Sequence, residues 1–126
     1  MRVVNTSLLD GYAQASGGTV TTATWNVQHF NGFSIQVTVS SQSSYGATAK
    51  LQASDDNGRD FNGTGVSNWV DLANSGATAN LSLAANGSYM WNVDGTFYKW
   101  IRASITASAG SATLDVRGNG KGPSSE

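Results

Sequence analysis

The chain has 126 residues, 7 Lys or Arg against 8 Asp or Glu, and a net charge of −1. That length fits one domain. The near-neutral balance excludes a protein that holds nucleic acid by neutralising phosphates and one held to a membrane by a polybasic segment. Cysteine is absent, which excludes a disulfide framework, thiolate zinc and a cysteine nucleophile.

The opening "MRVVNTSLLDGYAQASGG" places one Arg before no apolar h-region, so no export signal is read there. Residues 1–16 are expected to be an arm that docks elsewhere, with Arg2, Leu8 and Leu9 as its contacts. "TVTTATWNVQ" is β-rich in Thr and Val. In "FSIQVTVSS", Phe33, Ile35, Val37 and Val39 share one face while Ser34, Gln36 and Thr38 share the other, the period of a half-buried strand. "ATAKLQAS" repeats the pattern with Ala47, Ala49, Leu51 and Ala53. "NWVDLA", "NLSLA" and "SYMWNV" read as three shorter strands. "FYKWIRASITA" and "SATLDVRGN" form a hairpin around "SAGS".

Turn chemistry separates these runs: "SGG" at 16–18, "NG" at 31–32, "SSYG" at 43–46, "DDNG" at 55–58 and "NG" at 86–87. About seven to nine short strands with such turns predict an all-β fold, a single antiparallel β-sandwich or jelly roll over residues 17–118. The Gly-rich end, 119–126 with Pro123, is expected to be a flexible tail.

The stretch 97–107 is the densest in chemistry. Strand parity puts Phe97, Lys99, Ile101, Ala103 and Ile105 on the inner face. Tyr98, Trp100, Arg102, Ser104 and Thr106 then form an outer row. Aromatic rings with Arg are the composition of protein interface hot spots and also of stacking platforms for sugars or bases. A third reading has the arm or a long loop covering these rings.

"DDNGRD" gathers Asp55, Asp56, Asn57 and Asp60, but Arg59 stands where a calcium loop needs an oxygen ligand and no Glu follows, so it reads as a polar hairpin turn. The single His29 has no nucleophile elbow to serve. Asp71 and Asp115 lie in strands, pointing outward or pairing with Arg102 or Arg117. "GNGKG" lacks the spacing and the helix of a phosphate loop and reads as a strand end with a flexible exit. Trp25, Trp69, Trp91 and Trp100, taken singly, read as core or under-loop anchors. No catalytic set, metal site or cofactor is expected.

The order "KLQASDDNGRDF…NWVDLA…SYMWNV…FYKWIRASIT…GSATLDVRGNGKG" resembles small β-sandwich virion proteins of tailed bacteriophages. The shared features are a Leu-x-x-Ser-x-Asp/Asn strand end, a Trp strand, an aromatic–Lys–Trp–Ile–Arg strand and a Gly-rich hairpin ending in Asn-Gly-Lys-Gly. Residues 47–105 also resemble, more distantly, discoidin-like galactose-binding jelly rolls. The first resemblance implies a non-enzymatic capsid decoration (cement) protein. Such a protein would be made in the bacterial cytoplasm and placed on the virion surface, with the phage major capsid protein as partner and a homo-oligomer, favourably a trimer, as its state. The interface would be Tyr98, Trp100 and Arg102 with Arg2, Leu8 and Leu9. The second implies a carbohydrate-binding or adaptor module of a tail or fibre, with Asp56, Asn57, Trp69 and Trp91 as its contacts. Neither implies a nucleic acid or a membrane.

Overall fold

The computed structural model describes residues 2–60, 63–73, 78–94 and 98–122, without the side chains of Arg2 and Val3. Among the described residues eight strands follow in chain order: β1 (Arg2–Ala15), β2 (Thr19–Thr21), β3 (Trp25–Asn26), β4 (Gly32–Ser54), β5 (Val70–Asp71), β6 (Leu81–Leu83), β7 (Gly87–Asp94) and β8 (Trp100–Gly122). All pairings are antiparallel, in one hydrogen-bonded path β1-β8-β4-β5, with β2 and β3 on β8 and β6 and β7 on β4.

The two long strands make this path into two layers. β4 pairs with β7 through residues 32–39 and with β5 and β6 through 47–53. β8 pairs with β2 and β3 through 100–106 and with β1 through 111–122. The first layer is therefore ordered β7-β4-β8-β1, and the second β5/β6-β4-β8-β2/β3. Two four-deep sheets connected this way form an eight-stranded jelly roll.

Both long strands turn the corner together. The β4–β8 register shifts between Ser40 and Ala47. Ser41, Ser44 and Gly110 there have positive φ angles of 51°, 49° and 66°, a region that costs little only for Gly. A side chain at Gly110 would also strike the carbonyl oxygens of Ser43 and Ser44. The "SAGS" segment is thus this corner, within one continuous β8, rather than the tip of a hairpin.

Period-two alternation fills the space between the layers. Phe33, Ile35, Val37 and Val39 face Ala47, Ala49, Leu51 and Ala53 across the corner, joined by Ile101, Ala103, Ile105, Leu114 and Val116, all buried. Contacts cross from layer to layer: the rings of Trp25 and Phe33 meet edge-on at 5.8 Å, and Trp25 also packs on Phe30 at 5.3 Å.

Residues expected as an arm are a strand of the first layer. β1 runs antiparallel to β8 from Arg2 opposite Gly122 to Ala15 opposite Ser111. Leu8 is 6% exposed and belongs to the core, while its carbonyl accepts the Ala23 N–H at 3.1 Å. It is therefore unavailable as an external contact. Leu9 is half-buried against the same core; the side chain of Arg2 lies outside the described residues. The expected tail differs over residues 119–122, which continue β8, paired with both β1 and β4; residues 123–126 lie outside the described residues. Inward positions 118, 120 and 122 are glycine because neighbours occupy the space. A Cβ on Gly118 would lie 2.6 Å from Trp25 Cζ3, and one on Gly120 would lie 2.5 Å from the Phe30 ring.

Three polar side chains, Gln14, Thr22 and Ser54, are buried among the described residues. Gln14 is 3% exposed, and its Nε2 donates to the carbonyls of Ile105 (2.8 Å) and Gly18 (3.2 Å). The Tyr45 hydroxyl donates to its Oε1 at 2.5 Å. Gln14→Leu leaves Tyr45 and Ile105 unpaired and is expected to cost about 1–3 kcal/mol, read by urea unfolding. Burial raises the Tyr45 phenol above its ordinary 10.0. The folded state therefore favours the neutral phenol. That contribution is complete below pH 10.0 and lost as pH rises through the raised value. Tyr45→Phe is expected to flatten the alkaline arm of the stability–pH curve.

Candidate protein interface

Trp100 keeps the outer-face parity read from the sequence, but it is 3% exposed. The connection from β4 to β5 covers it. Gly58 and Gly63 lie against its ring so closely that a Cβ on them would come to 2.8 Å and 3.1 Å of ring carbons. The Trp100 Nε1–H donates to the Asp56 carbonyl at 2.8 Å. At Trp100 the covering loop is the arrangement present, and this ring presents no contact surface, while Tyr98 and Arg102 stay half-exposed.

The loop is closed by its own carboxylates. Asp56 accepts from the Ser67 N–H and hydroxyl, each at 3.0 Å, and from the Asn68 amide. The Ser67 hydroxyl, ahead of the other donors, holds the Asp56 carboxyl below the usual carboxylate range. Since its folded pKa is depressed, these bonds hold above the ordinary 3.8 and are lost as pH falls through the lowered value. Asp60 accepts from the Thr64 N–H and hydroxyl. Asp55 accepts the Lys99 backbone N–H at 3.1 Å, and the Lys99 ammonium donates to Asn57 Oδ1 at 3.2 Å. "DDNGRD" is thus a set of Asp-anchored turns in a long connection, with a cation of its own. Among the described residues no three His, Asp or Glu side chains converge as a metal site. His29 is exposed in the turn before β4.

Beside the loop, the outer face of the second layer carries a polar chain. The Arg102 guanidinium lies 4.4 Å from the Trp69 ring centroid, and its Nε donates to Gln52 Oε1 at 2.8 Å. Gln52 donates to Asp71 at 2.7 Å, and Lys50 reaches the other Asp71 oxygen at 3.5 Å. Asp71 therefore pairs with Lys50 and Gln52, not Arg102. Asp115 accepts the Gly11 N–H at 2.8 Å in a bulge of β1, not Arg117. The rings of the expected glycan set are separated in role: Trp69 carries the Arg102 cation on its face, and Trp91 is 4% exposed with its Nε1–H donating to the Ala79 carbonyl. Asn57 is exposed, and Asp56 is engaged by Ser67 and Asn68.

Apolar surface gathers on the inward side of β5. Val70 is 53% exposed, the highest value among the exposed large apolar side chains. It lines a shallow groove with Ala53, Leu72 and the half-buried Tyr98. Among the described residues β5 ends the strand path, so the groove lies along a sheet edge that is two residues long there. The outer face of the first layer is different in kind: Asn5, Asn119, Ser34 and Asn92 lie side by side across its four strands. Tyr98 and Arg102 were named from the sequence as one outer row; Arg102 lies in β8, while Tyr98 precedes that strand and lines the groove. Sequence parity missed Val70, whose sole signal was a Val within a short, polar-flanked strand.

No family model matches the chain, and no curated protein matches it in sequence. Solved structures share its fold. The SPBc2 prophage-derived protein YomS superposes with a TM-score of 0.54 at 16% identity, over 95% of each chain. The infectious bursal disease virus VP2 subviral particle matches with a TM-score of 0.56 at 14% identity, over 96% of this chain and 32% of that one. A chain of the same virus, Gt strain, gives 0.54, 15%, 96% and 32%. This chain spans about a third of the viral chains and nearly all of the prophage-derived one. At such identities the likeness is one of fold: a β-sandwich found in a viral capsid protein and in a phage-derived protein.

Proposed function

We propose that this chain is a non-enzymatic structural protein of a bacteriophage virion, a capsid decoration (cement) protein that bridges major capsid protein subunits on the particle surface. The observation that carries the reading is the apolar groove of Val70, Leu72 and Tyr98 along β5, the last strand of the path among the described residues, where Val70 is more exposed than the other exposed large apolar side chains, Met90 and Tyr12. An aromatic and aliphatic cluster beside a stacked Arg is hot-spot composition. The jelly roll shared with a prophage-derived protein of matching length supports it. The contact set becomes Val70, Tyr98, Trp69 and Arg102, with Trp100 beneath it as support. A trimer is the expected state, since repeated small contacts on a symmetric shell add through multivalency.

Heat resistance of shells tests this. Shells carrying the protein are expected to open at a higher temperature than bare shells. Val70→Asp should remove that gain while changing the chain's own stability by no more than about 0.5 kcal/mol, because Val70 is exposed. Equal protection by the variant would take the groove out of the contact. No protection by the unaltered protein would remove the cement role.

A further inference from the structure

The chain contains five Asn-Gly pairs, at Asn31, Asn57, Asn62, Asn86 and Asn119. In such a pair the glycine backbone nitrogen can attack the Asn Cγ, because no side chain shields it. The fold separates these pairs sharply. Gly32 and Gly120 lie in β4 and β8, each paired on both sides. Gly87 pairs with Val39, and Asn86 Oδ1 accepts the Gln42 N–H at 3.1 Å. The Gly63 N–H donates to the Asp60 carbonyl, and Asn62 lies outside the described residues. Gly58 lies outside every strand, and among the described residues no hydrogen bond engages its N–H. Asn57 is exposed.

Among the pairs whose Asn is described, a second feature is found at this one alone. The Lys99 ammonium donates to Asn57 Oδ1 at 3.2 Å, and the Lys99 backbone is fixed by Asp55. A cation on that oxygen draws electrons from Cγ and stabilises the charge that develops there on attack. As a hydrogen-bond donor the ammonium has no lone pair, so it assists as an electrophile and does not compete as a nucleophile.

We propose that Asn57 is a built-in modification site at which the chain converts selectively to aspartate and isoaspartate. Hydroxide or a buffer base takes the Gly58 N–H proton, and the nitrogen forms a bond to Asn57 Cγ. The C–N bond of the side-chain amide breaks, ammonia leaves, and a cyclic imide remains. Water then opens the imide at either carbonyl. A carboxylate replaces a neutral amide beside Asp55, Asp56 and Asp60. The isoaspartate product adds a methylene to the backbone next to Gly58, which packs on Trp100. Conversion therefore loosens the loop that covers Trp100.

Peptide mapping of the folded protein aged in mildly alkaline buffer tests this. Asn57 is expected to convert first, with Asn31, Asn86 and Asn119 lagging; in denaturant the pairs should converge. Lys99→Met, which keeps the backbone bond to Asp55, should slow Asn57 by about tenfold, less than for a buried oxyanion donor because the site is open to water. Conversion of Asn86 or a strand Asn at the same rate in the folded protein would overturn the proposal. So would an unaltered rate in Lys99→Met. A covalent Asn57–Lys99 link, with ammonia lost and no water gained, would also overturn it by making Lys99 the nucleophile.

Discussion

Trp100→Ala is expected to destabilise the protein by about 3–5 kcal/mol, the range for removing a buried Trp. The ring lies between Gly58 and Gly63, and its Nε1 satisfies the Asp56 carbonyl. Truncation removes both supports, so Gly58 and Gly63 lose the surface on which they pack. Trp100→Phe keeps part of the packing and loses the hydrogen bond, worth about 1 kcal/mol alone. Chemical unfolding followed by fluorescence reads both. An exposed contact residue would instead change stability by no more than about 0.5 kcal/mol on truncation. A small effect at Trp100 would therefore contradict the covered ring. Any loss of particle binding in Trp100→Ala is expected to follow unfolding of the loop beside the Val70 groove.

Gly118→Val should have a comparable effect for the opposite reason. Gly118 lies on the inner face of β8, between Thr6 and Ile35 on the adjacent strands. A first side-chain carbon there already falls 2.6–2.9 Å from three carbons of Trp25. The ring is in turn held against Phe30 and Phe33 and cannot move freely. The expected cost is about 3 kcal/mol, the upper end for overpacking a dense core. Trp25→Leu in the same chain should recover part of it, giving a favourable coupling of about 0.5–3 kcal/mol in a double-mutant cycle. Strict additivity would show that Trp25 and Gly118 do not share this space.

These two positions mark the limits of the sequence reading. The strands 33–39, 47–53 and 101–107 were legible because alternation is a property of the extended backbone itself. The buried pattern of those strands repeats it residue by residue. β1 was not legible as a strand because its alternation is interrupted twice, between Ser7 and Leu9 and between Leu9 and Tyr12. Each bulge resets which face a residue takes. The glycines at 118, 120 and 122 resembled a flexible exit because an inner face without side chains has no hydrophobic period to detect. What fills that face is Trp25 and Phe30, nearly a hundred residues away in the chain. The cover over Trp100 was hidden for a similar reason. Asp56, Asp60, Thr64, Ser67 and Asn68 have turn composition, and only the hydrogen bonds of Ser67 and Asn68 to Asp56 and of Thr64 to Asp60 reveal a closed cover. Val70 became a candidate contact once β5 was seen to end the sheet, which local sequence does not state.

The proposed docking of this jelly roll on a capsid through the groove beside β5 is tested by co-sedimentation with coat shells assembled without it, using the unaltered protein and Val70→Asp in parallel. Saturable binding at a fixed ratio to the coat protein is expected, lost in the variant while its unfolding transition is unchanged. Absence of binding by the unaltered protein, or equal binding by the variant, would contradict the proposed docking.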